Sequence, residues 1–267
     1  MLRSMYSGIS GMRNMQTKLD TIGNNIANVN TFGFKKGRTT FKDMVNQQIA
    51  GASGPATNGL GGTNPRQVGL GMQLSSIDTI HTQGSLQNTN RELDLGISGD
   101  GYFRLGDGGN PQTISYSRAG NFYLDQSGDI VNADGLYVLN TTGGKINVPS
   151  TSQSFSISQT GEVNIINAAG NLVNQGTISL AYFANSEGLQ KEGSNLYQVT
   201  ANSGNAQSTT PGQNGSGILV AGTLEMSNVD LSEEFTEMIV AQRGFQANTR
   251  IITTSDEILQ ELVNLKR

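Results

Sequence analysis

Few side chains in this sequence could do chemistry. The 267 residues include one histidine, His81, and no cysteine or tryptophan. A Ser-His-Asp site would have to use His81, and thiolate chemistry or a multi-histidine zinc centre has no residues to draw on. His81 lies in Asp78-Thr79-Ile80-His81-Thr82, which reads as a strand. A hydrogen-bonded structural imidazole is the expected role, with a pH-sensitive contact as the alternative. Asp94 and Asp100 could be imagined as paired glycosidase carboxylates. No companion motif stands near either, and acidic residues in a Gly-rich β segment belong on turns. Asp125, Ser127 and Asp129 are spaced like the start of a calcium loop, but the required Gly and the closing bidentate Glu are missing, so a hairpin turn is expected. Triplets such as Gly99-Asp100-Gly101 never extend to G-x-G-x-x-G, and no Walker-type loop occurs. No catalytic residue, cofactor or metal is therefore expected. Lys35, Lys36, Arg38 and Lys42 form a basic cluster. It reads as a solvated face or as a contact for an acidic arm of another chain. Nucleic acid is disfavoured by the net charge of −4.

The elements that would carry these residues follow from composition. Hydrophobic residues make up 35% and charged residues 14%, both below ordinary globular values, with the difference in Gly, Asn, Ser, Thr and Gln. Of 35 glycines, 29 fall in residues 49–226, 5 in residues 1–48 and 1 in residues 227–267. Since Gly costs about 1 kcal/mol against Ala inside a helix, the two ends can be helical and the middle is not. No apolar run approaches the ~18–20 residues of a membrane span, and the first residues lack the apolar block of a secretory signal peptide.

The C-terminal arm shows Leu231, Met238, Phe245, Ile252 and Leu259 seven apart, with a second series at Ile251, Ile258 and Leu265. Phe235, Ile239, Leu262 and Val263 fill the three- and four-residue steps, so a long amphipathic heptad helix is expected. Asp230 with Glu233 three later marks its start as a capping box. The N-terminal arm repeats the pattern with Met5, Met12, Leu19 and Ile26, flanked by Ile9, Met15, Ile22 and Val29. It stops at Asn28-Val29-Asn30-Thr31-Phe32-Gly33. Residues 1–48 carry a net +5 and residues 227–267 a net −3, which favours pairing between the arms, within or between chains. The plain reading is an intramolecular helix pair. The apolar face is wider than one partner can cover, so burial between chains is expected. That assigns Met5, Met12, Leu19, Ile22, Ile26, Leu231, Phe235, Met238, Phe245, Ile252, Leu259 and Leu262 to an interface between copies.

The middle reads as β structure, from the alternation at Ile178, Leu180 and Tyr182 and at Leu93, Leu95 and Ile97, and from turns at Asp107-Gly108, Ser127-Gly128 and Asp134-Gly135. Residues 122–131 read as a hairpin, and the low-complexity residues 50–65 as a long loop that orders only against a partner. The expected class is α+β: N- and C-terminal heptad helices paired as a coiled-coil-like arm, with a central, mostly antiparallel β domain. The boundaries are a helix over 1–33, a linker over 34–72, the β domain over 73–226 and a helix over 227–267.

The same residues carry a family resemblance. Asn24-Asn25-Ile26-Ala27-Asn28-Val29-Asn30-Thr31-Phe32-Gly33-Phe34-Lys35 resembles the N-terminal signature of bacterial flagellar rod and hook proteins. Ser227-Asn228-Val229-Asp230-Leu231 and residues 238–248 resemble the C-terminal signature, and residues 99–103 and 116–122 the family's β domain. The signature positions are Asn24, Asn25, Asn28, Gly33, Phe34, Asn228 and Val229. The resemblance implies a non-enzymatic subunit of a helical homopolymer. Its helices would form an inner tube around the flagellar type III export channel, through which the chain passes without a cleaved signal peptide. The implied partners are further copies, a cap protein, neighbouring rod and hook–filament junction proteins and the export apparatus, with neither nucleic acid nor membrane insertion. Residues 34–44 and 260–265 are similar to hook proteins and favour the hook, a curved flexible joint. The insertion over 46–68 is similar to the distal rod protein, whose straight shaft is the alternative.

Overall fold

A computed structural model of the chain describes residues 2–55, 61–109 and 112–265. It divides into two compact units: Met1–Ala27, Gly37–Asp78 and Asp230–Arg267 form one, and Asn28–Lys36 with Thr79–Val229 the other.

The first unit is built on two long helices, α1 (Leu2–Ala27) and α2 (Leu231–Asn264). The Asp230 side chain caps α2 by accepting from Ser232 N at 2.8 Å and Glu233 N at 3.4 Å, as its position predicts. Glu233 and Glu234 in the first turn suit the positive end of the helix dipole. The helices run antiparallel: Gly8 meets Ile252, Met15 meets Gly244, and Asn25 meets Glu234. A Cβ on Gly11 would stand 2.7 Å from the Asn248 side-chain amide, so a larger residue there would have to displace that side chain.

A β-ribbon completes this unit. Its strands are β1 (Gly37–Asp43), β2 (Asn46–Ala50), β3 (Arg66–Gly69) and β4 (Met72–Thr79), with β1 paired to β4 and β2 to β3. The linker expected over 34–72 is therefore corrected to paired strands. Beyond β2 and β3, Ser53 and Thr63 still exchange backbone hydrogen bonds at 3.1 Å, so the loop expected over 50–65 starts as ribbon too. Its tip, residues 56–60, lies outside the described residues. The sequence hides the ribbon for a physical reason. Every residue of β2 and β3 is exposed, so no buried face imposes apolar alternation.

The second unit is antiparallel β. Its largest sheet is centred on β7 (Tyr102–Gly106), paired with β8 (Ile114–Ser117) on one edge and with Leu180–Tyr182 and Tyr137–Val138 sharing the other. The hairpin expected at 122–131 is present, with Leu124 opposite Ile130 and Tyr123 opposite Val131. A three-stranded meander spans Ser154–Ile157, Glu162–Ile166 and Leu172–Thr177. Two short ladders, β5 (Leu86–Asn88) with Thr223–Glu225 and β6 (Leu95–Ser98) with Ile218–Ala221, bring residues 79–100 against residues 218–225. The core includes Ile97, Phe103, Phe122, Ile178 and Leu219, all at 0% exposure, and Phe103 meets Phe122 edge-to-face at 5.1 Å. Residues 93–97 are buried at every position, so the alternation expected there is a strand enclosed on both faces.

Candidate assembly interface

On α2 the face turned to α1 runs through Glu234, Met238, Ala241, Gly244, Asn248, Ile252, Ser255 and Leu259, in steps of three or four. Half of this seam is a heptad of small or polar residues (234, 241, 248, 255) that apolar patterning does not register. On α1 the facing line runs through Gly8, Gly11, Met15, Lys18, Ile22 and Asn25, and Lys18 forms an ion pair with Glu237 beside it. Ile22 is buried, while Met5, Met12, Leu19 and Ile26 stand half-buried on its flank.

The remaining large apolar side chains of α2 are exposed. Leu231, Phe235, Phe245 and Leu262 of the expected interface are 39, 50, 37 and 49% exposed. Met238, Ile252 and Leu259 are half-buried in the seam. Ile239, Val240, Ile251, Ile258, Val263 and Leu265 are exposed as well. Among the described residues, the helix-and-ribbon unit holds 17 of 22 exposed large hydrophobic side chains but only Ile22 and Ala241 of 26 buried hydrophobic ones. An isolated two-stranded ribbon is also marginal in water. Here it exposes Val45, Ile49 and Ile77. A surface of this extent marks an interaction site.

The signature residues serve as anchors. Asn25, 1% exposed, makes two hydrogen bonds at 2.9 Å with the Gly37 backbone and a third at 3.1 Å to Glu234, fixing α1 to both α2 and β1. In the β unit, Asn228 accepts from Lys36 N at 2.8 Å and donates to Ile80 O at 2.9 Å. Gly33 takes φ +70°, and a Cβ there would stand 2.5 Å from Ala119 N. Phe34 is buried beneath the Lys191 ammonium, 4.8 Å from the ring centre. Asn28 and Val229 are half-buried, and Asn24 is exposed.

Next to these lies a buried ion cluster that sequence reading missed. Glu225 Oε1 accepts from Lys35 Nζ at 2.6 Å, and Oε2 from Arg118 Nε at 2.6 Å, with Gly84 N adding a bond at 2.9 Å. The three side chains are 1, 1 and 4% exposed for Glu225, Lys35 and Arg118. Lys35 also donates to Thr82 O at 2.8 Å. Burial lowers the Lys35 pKa, Glu225 opposes that shift and Arg118 adds to it. The cluster ties the segment after α1 to the strand before α2. Lys35 is thus neither on a solvated face nor available to a neighbouring chain, and that part of the basic cluster is corrected. Arg38, 59% exposed, stands 3.6 Å from Asp78, and Lys42 is exposed. Nothing in the sequence marks Glu225. The signal for Arg118 was its place in the 116–122 segment.

The other candidate residues are structural. The Tyr102 hydroxyl lies 2.7 Å from His81 Nδ1, and His81 Nε2 is buried without a partner. Burial, with Lys35, Lys191 and Arg118 nearby, lowers the His81 pKa to about 4, so the imidazole is neutral at physiological pH. Asp94 is buried against Arg91 at 2.9 Å, whereas Asp100 is exposed. Asp125 and Asp129 close a turn, with Asp125 N bonded to Asp129 O at 2.9 Å.

Comparison with known proteins gives this geometry a context. Residues 5–35 match the family described as flagella basal body rod protein, residues 96–165 the flagellar hook protein FlgE/F/G D1 domain, and residues 220–265 the flagellar basal body rod FlgEFG protein C-terminal family. The flagellar basal-body rod protein FlgG of Bacillus subtilis (strain 168) is 61% identical, with 100% of both chains covered. The FlgG of Borreliella burgdorferi is 39% identical over 100% of each chain, and the flagellar hook protein FlgE of the same organism is 31% identical, also over 100% of each. The matched segments contain the α1 stop, the β core and the capped start of α2, the parts that the anchors hold in place. On identity across its whole length, this chain belongs to the flagellar rod and hook protein family, whose members are structural components of the flagellum and not enzymes.

Proposed function

We propose that this chain is a subunit of the flagellar rod, self-assembling into a straight tube with its helices on the inside and its β unit outside. The observation that carries self-assembly is the uncovered apolar face of α2, from Phe235 to Leu265. Each Leu, Ile or Phe that becomes fully buried contributes about 1.5–3 kcal/mol, so a few neighbours per chain suffice to hold a polymer. Of the expected positions, the exposed Leu231, Phe235, Phe245 and Leu262 form that interface, with the half-buried Met5, Met12, Leu19 and Ile26 at its edge, while Ile22, Met238, Ile252 and Leu259 are taken up by the seam between α1 and α2.

Rod is favoured over hook by the relatives. The 61% identity to a rod protein runs over 270 aligned positions, close to the 267 residues here. The 31% identity to a hook protein runs over 445, so that protein carries long insertions this chain lacks. This outweighs the hook-like character of residues 34–44 and 260–265. The β-ribbon over 37–79 supports the same reading, because paired strands brace a shaft better than a slack loop. Export through the flagellar type III channel, a cap protein at the growing end and junctions to neighbouring rod or hook proteins belong to the same proposal.

Electron microscopy of the polymerised protein tests it. Straight, rigid tubes are expected. Curved or supercoiled tubes would establish the hook instead, and a chain that stays monomeric at all concentrations would overturn self-assembly.

A further inference from the structure

The helix-and-ribbon unit carries a groove of 580 Å³ between the N-terminal half of α1 and the ribbon. Its apolar lining includes Tyr6, Ile9, Met44, Leu70 and Met72, and Tyr6 and Ile9 are 68 and 47% exposed. Arg3 and Arg13, both exposed, bring two positive charges to the same wall.

The complementary surface is on α2. Ile251, Ile258, Leu262 and Leu265 form an exposed stripe with steps of seven, four and three, on a face that α1 does not cover. Glu257 and Glu261, four apart and exposed, flank this stripe on the side away from the seam. In the middle of α2 the corresponding flank carries Arg243 and Arg250 instead, so there the apolar residues stand beside positive charge.

We infer that the groove receives the C-terminal turns of α2, residues 251–265, from a second copy of this chain. The apolar stripe lies on Tyr6, Ile9 and Met72, and Glu257 and Glu261 meet Arg3 and Arg13. Opposite charges beside an apolar contact fix its register and reject a shifted one. Because α1 and α2 are antiparallel and Gly8 faces Ile252, the groove is level with the start of the stripe, and seating Leu262 on Ile9 offsets the second copy by about 17 Å along the helix axis. The copies therefore join side by side with an axial step. Groove and stripe are also different patches of one surface, so the contact is head-to-tail and repeats into a ring or a helical tube rather than closing as a dimer. The inference rests on the proposed self-assembly and specifies which surfaces carry it.

The absence of cysteine makes the contact directly measurable. Full-length Ile9→Cys and Leu262→Cys chains are mixed under polymerising conditions and oxidised. The expected result is a disulfide-linked dimer at least ten-fold above the yield from Ile9→Cys with Val240→Cys, whose cysteine sits about 33 Å away along α2. Adding Arg13→Glu to the first chain lowers the yield at least five-fold, and Glu261→Arg in the second restores it. Tubes without an Ile9–Leu262 link would overturn this docking and leave self-assembly standing. Absence of tubes overturns both. A link in isolated basal bodies from Ile9→Cys to a protein of different mass, in place of the dimer, assigns the groove to another partner and also overturns the inference.

Discussion

The two units of this chain solve the same problem in opposite ways. The β unit encloses its apolar residues, with 24 of the 26 buried hydrophobic side chains among the described residues, and holds a charged cluster inside. The helix-and-ribbon unit leaves many of its apolar residues facing outward and fills about half of its α1–α2 seam with Gly, Ala, Ser and Asn. On the proposed assembly, the difference is where each hydrophobic core is completed: within the chain for the β unit, between chains for the helices. A protein whose helical arm orders only on assembly delivers its cost in conformational entropy at the moment of polymerisation, when burial offsets it. Circular dichroism of the free chain should therefore show less helix than α1 and α2 contain. Full helix in the monomer would remove this distinction.

The comparison can be broken most severely at Glu225. Glu225→Ala leaves Lys35 and Arg118 buried without their counter-charge, and a loss of about 3–5 kcal/mol is expected, read as a large fall in the thermal midpoint of the β unit. Next comes acid. His81 is held neutral with a pKa near 4, while the unfolded value is 6.5, so the unfolded chain takes up the proton first. The stabilisation is complete above pH 6.5 and is lost as pH falls toward 4, up to about 3 kcal/mol. His81→Gln should flatten that part of the stability curve; a wild-type slope in the variant would reassign it. Asp230→Ala removes the α2 cap and costs about 1 kcal/mol, visible as reduced helicity in the assembled state. The smallest effect on the free chain is expected from Phe245→Asp, below about 0.5 kcal/mol, because Phe245 is already 37% exposed there. Yet it should abolish tubes, since assembly would bury the new charge. Normal tubes from that variant would place Phe245 outside the interface.

Much of the helical unit was legible from residue spacing. Five heptad-spaced positions from Leu231 to Leu259 and four from Met5 to Ile26 announce long helices, and Asp230 announces where the second begins. The ribbon was not, because β2 and β3 are exposed on both faces and no core selects their residues. The α1–α2 register also escaped. Its defining positions are Gly8, Gly11, Ala241, Asn248 and Ser255, which pack because they are small and therefore leave no mark in hydropathy.

What the sequence determined alone is whatever repeats locally: two amphipathic helices, their caps, a Gly-rich β middle and the absence of the residues that catalysis by thiolates or histidine clusters needs. Tertiary structure alone decided the rest. It placed Lys35 and Glu225, 190 positions apart in the chain, at 2.6 Å, and turned an apparent surface lysine into a buried one. It also set which apolar residues of α2 meet α1 and which stay uncovered. The physical reason is common to both. Periodicity fixes which side chains share a face, but what a face meets depends on residues distant in sequence, brought near only by the fold.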